Sequence, residues 1–392
     1  MSTTEQAHND QAGPPAPPPS TLLGGPTSTA PAGGPAGVLG STLLRNLLVT
    51  VVCVAVMMGL TTVLGPFQNF QLAYVLAYLS ALIGLNVLIG LNGQLSLGHG
   101  AIMAVGGYSM GFTQNAMVDA GYVDNRAFAL WWTVVVSLTV GVLAAIVAGL
   151  LIGLAAARLR GPYLAGVTLA VAVLVPGITT AFDVFNGDQG IRVSVPRRPP
   201  ALAKVLGPSF TNEQWQAWVA LFAVGLVGLL MANLIRSRYG RMFKAVRDDE
   251  VAAQLSGINV ARTQITAFVV SSATAGLAGG VFVFLVKNSQ PGFFSLTLSL
   301  YLVLALVLGG LGSIAGAIWG ALFLVAVPYL TAQLSRGLHV PPDLELRLSG
   351  NLPLAIFGLA LILVTIIAPG GIQALVRRIW AWLYGLVRRP AG

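Results

Sequence analysis

The run LNGQLSLGHG, residues 91–100, places Asn92, Gln94, Ser96 and His99 within one short stretch, interleaved with Gly93, Gly98 and Gly100. Two amides, a hydroxyl and an imidazole, with no carboxylate, lysine or thiol among them, offer neutral hydrogen bonding. Such side chains can satisfy backbone groups that an interrupted helix leaves open, while the glycines weaken the helix and let backbones approach closely. A second glycine-rich break, Gly309, Gly310, Gly312 and Ser313, lies in the other half of the chain. An old internal repeat would leave such a pair.

Other chemistry finds little support. The twelve acids are Glu5, Asp10, Asp119, Asp124, Asp183, Asp188, Glu213, Asp248, Asp249, Glu250, Asp343 and Glu345. None falls inside an apolar run, where ion-coupled transport usually needs an ionisable group. His8, His99 and His339 are too far apart to suggest a metal cluster, and no nucleophile–base pair suggests a hydrolase. No G-x-x-x-x-G-K-[ST] loop is present, and Lys204, Lys244 and Lys287 all lack its context. The sequence therefore predicts no metal, no cofactor and no ATP site of its own. Any ATP-driven function needs a partner.

The surroundings of these residues are those of a membrane. Of 392 residues, 56% are hydrophobic and 8% charged, whereas soluble domains carry about 25% charged residues. The apolar runs are long enough to cross a bilayer as helices, and the short alternating segments of a β-barrel are absent. The reading is an all-α polytopic protein with spans near 44–65, 70–90, 101–116, 129–157, 162–182, 215–235, 263–286, 297–309, 313–331 and 352–370. That makes ten crossings with broken glycine-rich helices, or nine if 297–331 is one interrupted helix. The +9 net charge fits basic loops facing anionic headgroups and is no nucleic-acid signature. Cys53 lies in an apolar run and has no disulfide partner within the chain.

Arg158 and Arg160, the basic loop 236–262 and the C-terminal arginines fall on one side of a ten-span chain, together with the N-terminus. The positive-inside rule makes that side cytoplasmic, N-in and C-in. Loop 183–214, with Arg192, Arg197, Arg198 and Lys204, is the exception. Residues 1–43, rich in Pro, Gly and Ala, read as a disordered cytoplasmic tail, and 44–370 as the transmembrane domain. In 371–392, nine apolar residues from Ile372 to Val387 share one helical arc, with Arg377, Arg378, Arg388 and Arg389 opposite. That pattern is an amphipathic helix on the cytoplasmic leaflet, with membrane lipid as its partner.

The loop SRYGRMFKAVRDDEVAAQLSGINVARTQ, 237–264, carries Arg238, Arg241, Lys244 and Arg247 as a basic ridge. Asp248, Asp249 and Glu250 follow, favourable at the positive start of a second helix. Val251, Ala252 and Leu255 share a face, and Gly257 can end the helix in a left-handed conformation. A short helix of this kind, held off the membrane, suits a groove on another protein.

The segment RDDEVAAQLSGINVARTQITAF, from Arg247, resembles the coupling loop of ABC importer permeases of the branched-chain amino acid type (LivM-like). Glu250, Ala252, Ala253 and Gly257 match that family's Glu-Ala-Ala…Gly motif. LNGQLSLGHGAIMAVGGY resembles its Gly-Gln-x-Ser-Leu-Gly-His signature, and LVLGGLGSIAGAIWGA its Gly-Gly-x-Gly-Ser…Gly stretch. The resemblance runs over about 44–370. It implies a permease of the bacterial inner (plasma) membrane beside a homologous LivH-like permease. It also implies two cytoplasmic ATP-binding subunits and an extracytoplasmic solute-binding protein. Hydrophobic amino acids are the usual cargo, while related members carry urea, short amides or other small solutes. Residues 247–257 would then couple to the ATPases, and the two glycine breaks would pack in the core or line the translocation route. A passive channel would not need the capped, charged helix, and a membrane enzyme would need a reactive cluster that the chain lacks.

Overall fold

The computed structural model describes residues 35–122, 129–159, 162–207, 210–337, 342–368 and 370–387. Long runs of Leu, Val, Ala and Ile form helices because a helix satisfies every backbone group within its own segment, as a bilayer interior demands. In chain order the helices are α1 (Pro35–Val63), α2 (Pro66–Leu85), α3 (His99–Asp119), α4 (Ala129–Ala156), α5 (Pro162–Ala181), α6 (Pro200–Leu206) and α7 (Asn212–Arg236). They continue with α8 (Arg238–Asp248), α9 (Glu250–Leu255), α10 (Val260–Val286), α11 (Leu296–Gly309), α12 (Ile314–Gly337), α13 (Pro342–Ile367) and α14 (Gly371–Val387). Two short strands, β1 (Ile191–Arg192) and β2 (Asn288–Ser289), pair antiparallel, Ile191 opposite Ser289.

The protein is an all-α polytopic membrane protein. Among the described residues, eight helical segments are long and apolar enough to cross a membrane. Helices also occupy the other two expected spans. The first is α3, diluted by Gly, Ser, Gln and Asn; the second is α13, which carries the shorter apolar stretch Ala355–Val364 among the described residues. The run 297–331 is divided into α11 and α12 by the turn at 310–313.

Thr42–Gly392 forms one compact unit. Helix begins at Pro35, inside the stretch 1–43 read from sequence as tail. Proline needs no donor at a helix start and has its backbone angle preset there, and no further proline occurs until Pro66. The remainder of the tail, 1–34, lies outside the described residues, as do Arg160 and 388–392 with Arg388 and Arg389.

α2 with its extension and α10 form the centre of the bundle, each 72% buried over its most apolar window, against 6% for α1. Close packing there depends on small residues. Gly106 of α3 lies against Gly276 of α10, and Gly279 of α10 against the Met103 backbone. α1 is held to α7 by polar clasps. Asn46 Nδ2 donates to Asn233 Oδ1 at 2.7 Å, and Trp218 Nε1 donates to Thr61 Oγ1 at 2.8 Å.

Candidate functional site

α2 does not stop at Leu85. It widens into a π-helical turn over Asn86–Leu91, then the chain leaves the helix. The Asn92 N–H reaches back to the Val87 carbonyl at 3.1 Å and the Gln94 N–H to Leu88 at 3.1 Å. From 92 to 98 the chain is non-helical: Asn92, Gln94, Ser96 and Gly98 are buried, while Gly93 and Leu95 face outward. Helix resumes at His99, whose Nε2 lies 3.1 Å from the Ala81 carbonyl. Ala81 stands about 15 Å of helix before the end of the π turn. The non-helical segment therefore runs back into the bundle, and α3 starts beside the middle of α2.

Neighbouring helices hold this segment. The Leu97 N–H donates to Thr168 Oγ1 of α5 at 3.0 Å, and the Gly100 N–H to Ser299 Oγ of α11 at 3.0 Å. A side chain at Gly98 would strike the Thr168 carbonyl oxygen, 2.7 Å from where its first carbon would sit. His99 Nε2 faces a carbonyl, so it carries the proton and Nδ1 is left as an acceptor. Among the described residues that Nδ1 has no partner, nor have Asn92 Oδ1 and Nδ2, Gln94 Oε1 or Ser96 Oγ, all of them buried. Unmet polar groups in a buried run cost free energy, so these atoms call for partners that the neighbouring helices do not supply.

The two glycine breaks meet. Asn86 Oδ1 accepts from the Gly312 N–H at 2.7 Å. The backbones at Gly90 and Gly312 are so close that a methyl on Gly90 would sit 3.1 Å from the Gly312 Cα. Gly309 packs on Gly316, and Gly310 on Gly370 and Gly371, so the start of α14 is seated on the second break. Ser313 Oγ accepts from the Gly316 N–H at 3.4 Å, in the first turn of α12. Trp319 Nε1 adds a bond to Gln373 Oε1 at 3.0 Å.

At this same end stand α8 and α9. α8 buries Gly240, Phe243 and Val246 and exposes Arg238, Arg241 and Lys244. The acidic run is divided between two roles. Asp248 ends α8 and its Oδ1 accepts from Arg247 Nη2 at 3.0 Å, whereas Asp249 caps α9, its Oδ1 accepting from the Val251 and Ala252 N–H groups at 2.8 and 3.0 Å. Glu250 Oε1 accepts from Gln264 Nε2 of α10 at 3.1 Å, which fixes the pair to the bundle. Ala253 is buried with Val246 and Val260, while Ala252 is exposed along with Val251 (67%) and Leu255 (85%). α9 ends at Gly257, φ 80°, with Gly257 N–H to the Gln254 carbonyl at 2.9 Å and Ile258 N–H to Ala253 at 3.0 Å. This is a Schellman closure, which needs the left-handed residue. Arg247, exposed over much of its side chain, still reaches the bundle: its Nη1 donates to the Gly90 carbonyl at 2.7 Å. Both breaks, the helix pair and α14 thus form one cluster. A separate cleft of about 650 Å³ between α4, α7 and α10 is almost wholly apolar and shares no residue with it.

A family model described as the branched-chain amino acid transport system / permease component matches residues 67–365, which take in α2, both breaks and the α8–α9 pair. The chain belongs to that family. It is similar to the high-affinity branched-chain amino acid transport system permease protein LivM of Escherichia coli, 31% identical over 264 residues, 62% of this chain and 58% of that protein. It is similar too to the probable LivM of Methanocaldococcus jannaschii, 28% identical over 47% of this chain and 52% of that one. The L-arabinose ABC transporter permease protein AraH of Azospirillum brasilense is 28% identical over 65% of this chain and 76% of its own. The chain thus spans less than two thirds of the length of the LivM relatives. No solved structure matches. The chain is a multi-pass inner-membrane protein of a permease family, as the resemblance of its three motifs implies.

Sequence reasoning missed four of the site's residues, Asn86, Gly90, Thr168 and Ser299. Each lies within an apolar helix, where a single polar residue or glycine reads as packing. The signal was present for Asn86, since a lone amide at membrane depth must find a partner.

Proposed function

We propose that this chain is the permease subunit of an importer that moves branched-chain or other hydrophobic amino acids across the membrane. Two separate ATP-binding subunits power it, a second homologous permease completes the pore, and an extracytoplasmic solute-binding protein delivers the cargo. The end carrying α8, α9 and α14 is cytoplasmic. The observation that carries this reading is α9 itself, a helix capped at both ends that presents Val251 and Leu255 outward beside two interrupted membrane helices. A solvated connector has no need of an exposed apolar pair held at fixed angle; a groove on a partner does. Arg247–Gly257 is the coupling element, in which Val251 and Leu255 make the contact with the ATP-binding subunits and Arg247 holds the pair to the bundle, and Asn92–His99 with Gly309–Ser313 lie where the inner end of the translocation route must open. α14 rests on the inner leaflet, with Ile379 and Trp380 exposed beside Arg377 and Arg378.

A second cargo reading, a small polar solute such as a sugar, urea or a short amide, is favoured by the similarity to a relative named for L-arabinose. Reconstitution of the complex with its binding protein separates the two. Leucine is expected to stimulate ATP hydrolysis and to accumulate inside the vesicles. Stimulation by arabinose, urea or acetamide with none by leucine, isoleucine or valine would reverse the assignment.

A further inference from the structure

We infer that Arg247 is a positioning residue that ties the cytoplasmic helix pair to both glycine breaks, so that a displacement of α8 moves the inner ends of α2 and α12 together. The inference rests on the importer reading above and adds the part that transmits the motion.

Three observations carry it. First, the ridge expected from sequence as one basic face is divided. Arg238, Arg241, Lys244 and Arg247 are all exposed at the surface, but Arg247 also sends Nη1 down to the Gly90 carbonyl at 2.7 Å. The π turn has shifted the following amide away from that carbonyl, because the Gln94 N–H bonds Leu88 instead. A cation from another helix thus completes the C-terminal end of a membrane helix, where the dipole favours positive charge. Second, the guanidinium is aimed. Nε and Nη2 both bond Asp248 Oδ1, at 3.1 and 3.0 Å, which sets the plane and leaves Nη1 toward Gly90. The stem is also wedged, since a methyl at Gly93 would lie 2.6 Å from Arg247 Cγ. Third, the link continues past Gly90, which abuts Gly312, and the Gly312 N–H is held by Asn86 one turn away on the same helix.

The non-helical segment that starts two residues after Gly90 carries unmet buried polar atoms at Asn92, Gln94 and Ser96 among the described residues. A segment of this kind has a second arrangement to gain, which is what a transmitted motion needs at its far end.

The test uses the complete complex in proteoliposomes, with leucine-loaded binding protein as the stimulus. In Arg247→Met the ATP-binding subunits are expected to stay bound at wild-type stoichiometry. Hydrolysis is expected to persist but to lose its stimulation, and uptake to fall about tenfold or more, as for removal of a charged hydrogen bond. Asn86→Leu cuts the second leg of the link, far from the partner surface, and should give the same split. Spin labels at Leu311 and Val205, both exposed, in a Cys53→Ser background report the second break against the opposite end of the bundle. Their separation should change when vanadate traps the nucleotide in wild type, and not in Arg247→Met. Wild-type uptake and stimulation in both variants would overturn the inference. So would loss of ATP-binding subunits from Arg247→Met, which would make Arg247 a docking contact, or an unchanged label separation in a wild-type complex that imports leucine. A wild-type complex in which no solute stimulates hydrolysis fails at the earlier step and takes the importer reading with it.

Discussion

Replacing Gly257 with valine isolates one physical effect. A side chain there would meet nothing within 4 Å, so no clash confuses the result. What remains is the backbone: φ is 80°, and a residue with a Cβ is strained in that region by about 1–2 kcal/mol. The strain opposes the two bonds that close α9, Gly257 N–H to Gln254 and Ile258 N–H to Ala253. If the closed end is the form that seats Val251 and Leu255, its population against open forms falls about 5- to 30-fold. No membrane span is touched, so insertion should be unchanged. The assay is ATP-binding subunit retained per permease after detergent extraction, beside uptake at equal membrane abundance. Both should fall together in Gly257→Val. Gly257→Asn, which tolerates the left-handed region, should restore most of both. Wild-type retention and uptake in the valine variant would show that the end of α9 does not govern docking.

Leu255→Asp, on the most exposed apolar position of α9, should release the ATP-binding subunits without altering permease thermal stability, as read by co-purification and a melting assay. Gly90→Ala should cost about 1–3 kcal/mol of overpacking, because the nearest atoms are backbone at Gly312 and the Asn86 amide that holds it; a lowered melting temperature together with reduced uptake checks this. The chain purified alone should hydrolyse no ATP, and turnover that survives a contaminating-ATPase control would show a nucleotide site the sequence does not reveal.

The parts of the fold that rest on local composition were legible. Each of the ten apolar runs falls on a helix, eight of them long and apolar enough among the described residues to cross a membrane, and the polar run at 92–99 broke a helix where glycine and amides cluster. Gly257 adopted the left-handed conformation its position required. The parts that rest on long-range placement were not. Arg247 and Gly90 are 157 positions apart, and Asn86 and Gly312 are 226 apart. Nothing local distinguishes Arg247 from the other three members of its ridge. The direction of a long side chain at a helix end depends on which free carbonyl lies within reach, and only the packed bundle supplies that carbonyl. The start at Pro35 was missed for a related reason, since a proline-rich composition hides the one proline that can open a helix.

The clasp between α1 and α7 has a consequence for how the protein is made. Asn46 waits for Asn233, a partner 187 positions later in the chain. At about 5–20 residues per second that interval is roughly 10–40 s of synthesis. Throughout it α1 stands in the lipid with an amide and the Thr61 hydroxyl awaiting their cross-helix partners. α1 is therefore in place long before it is fastened. A ribosome stalled before α7 would leave a chain in which α1 is inserted but unmoored.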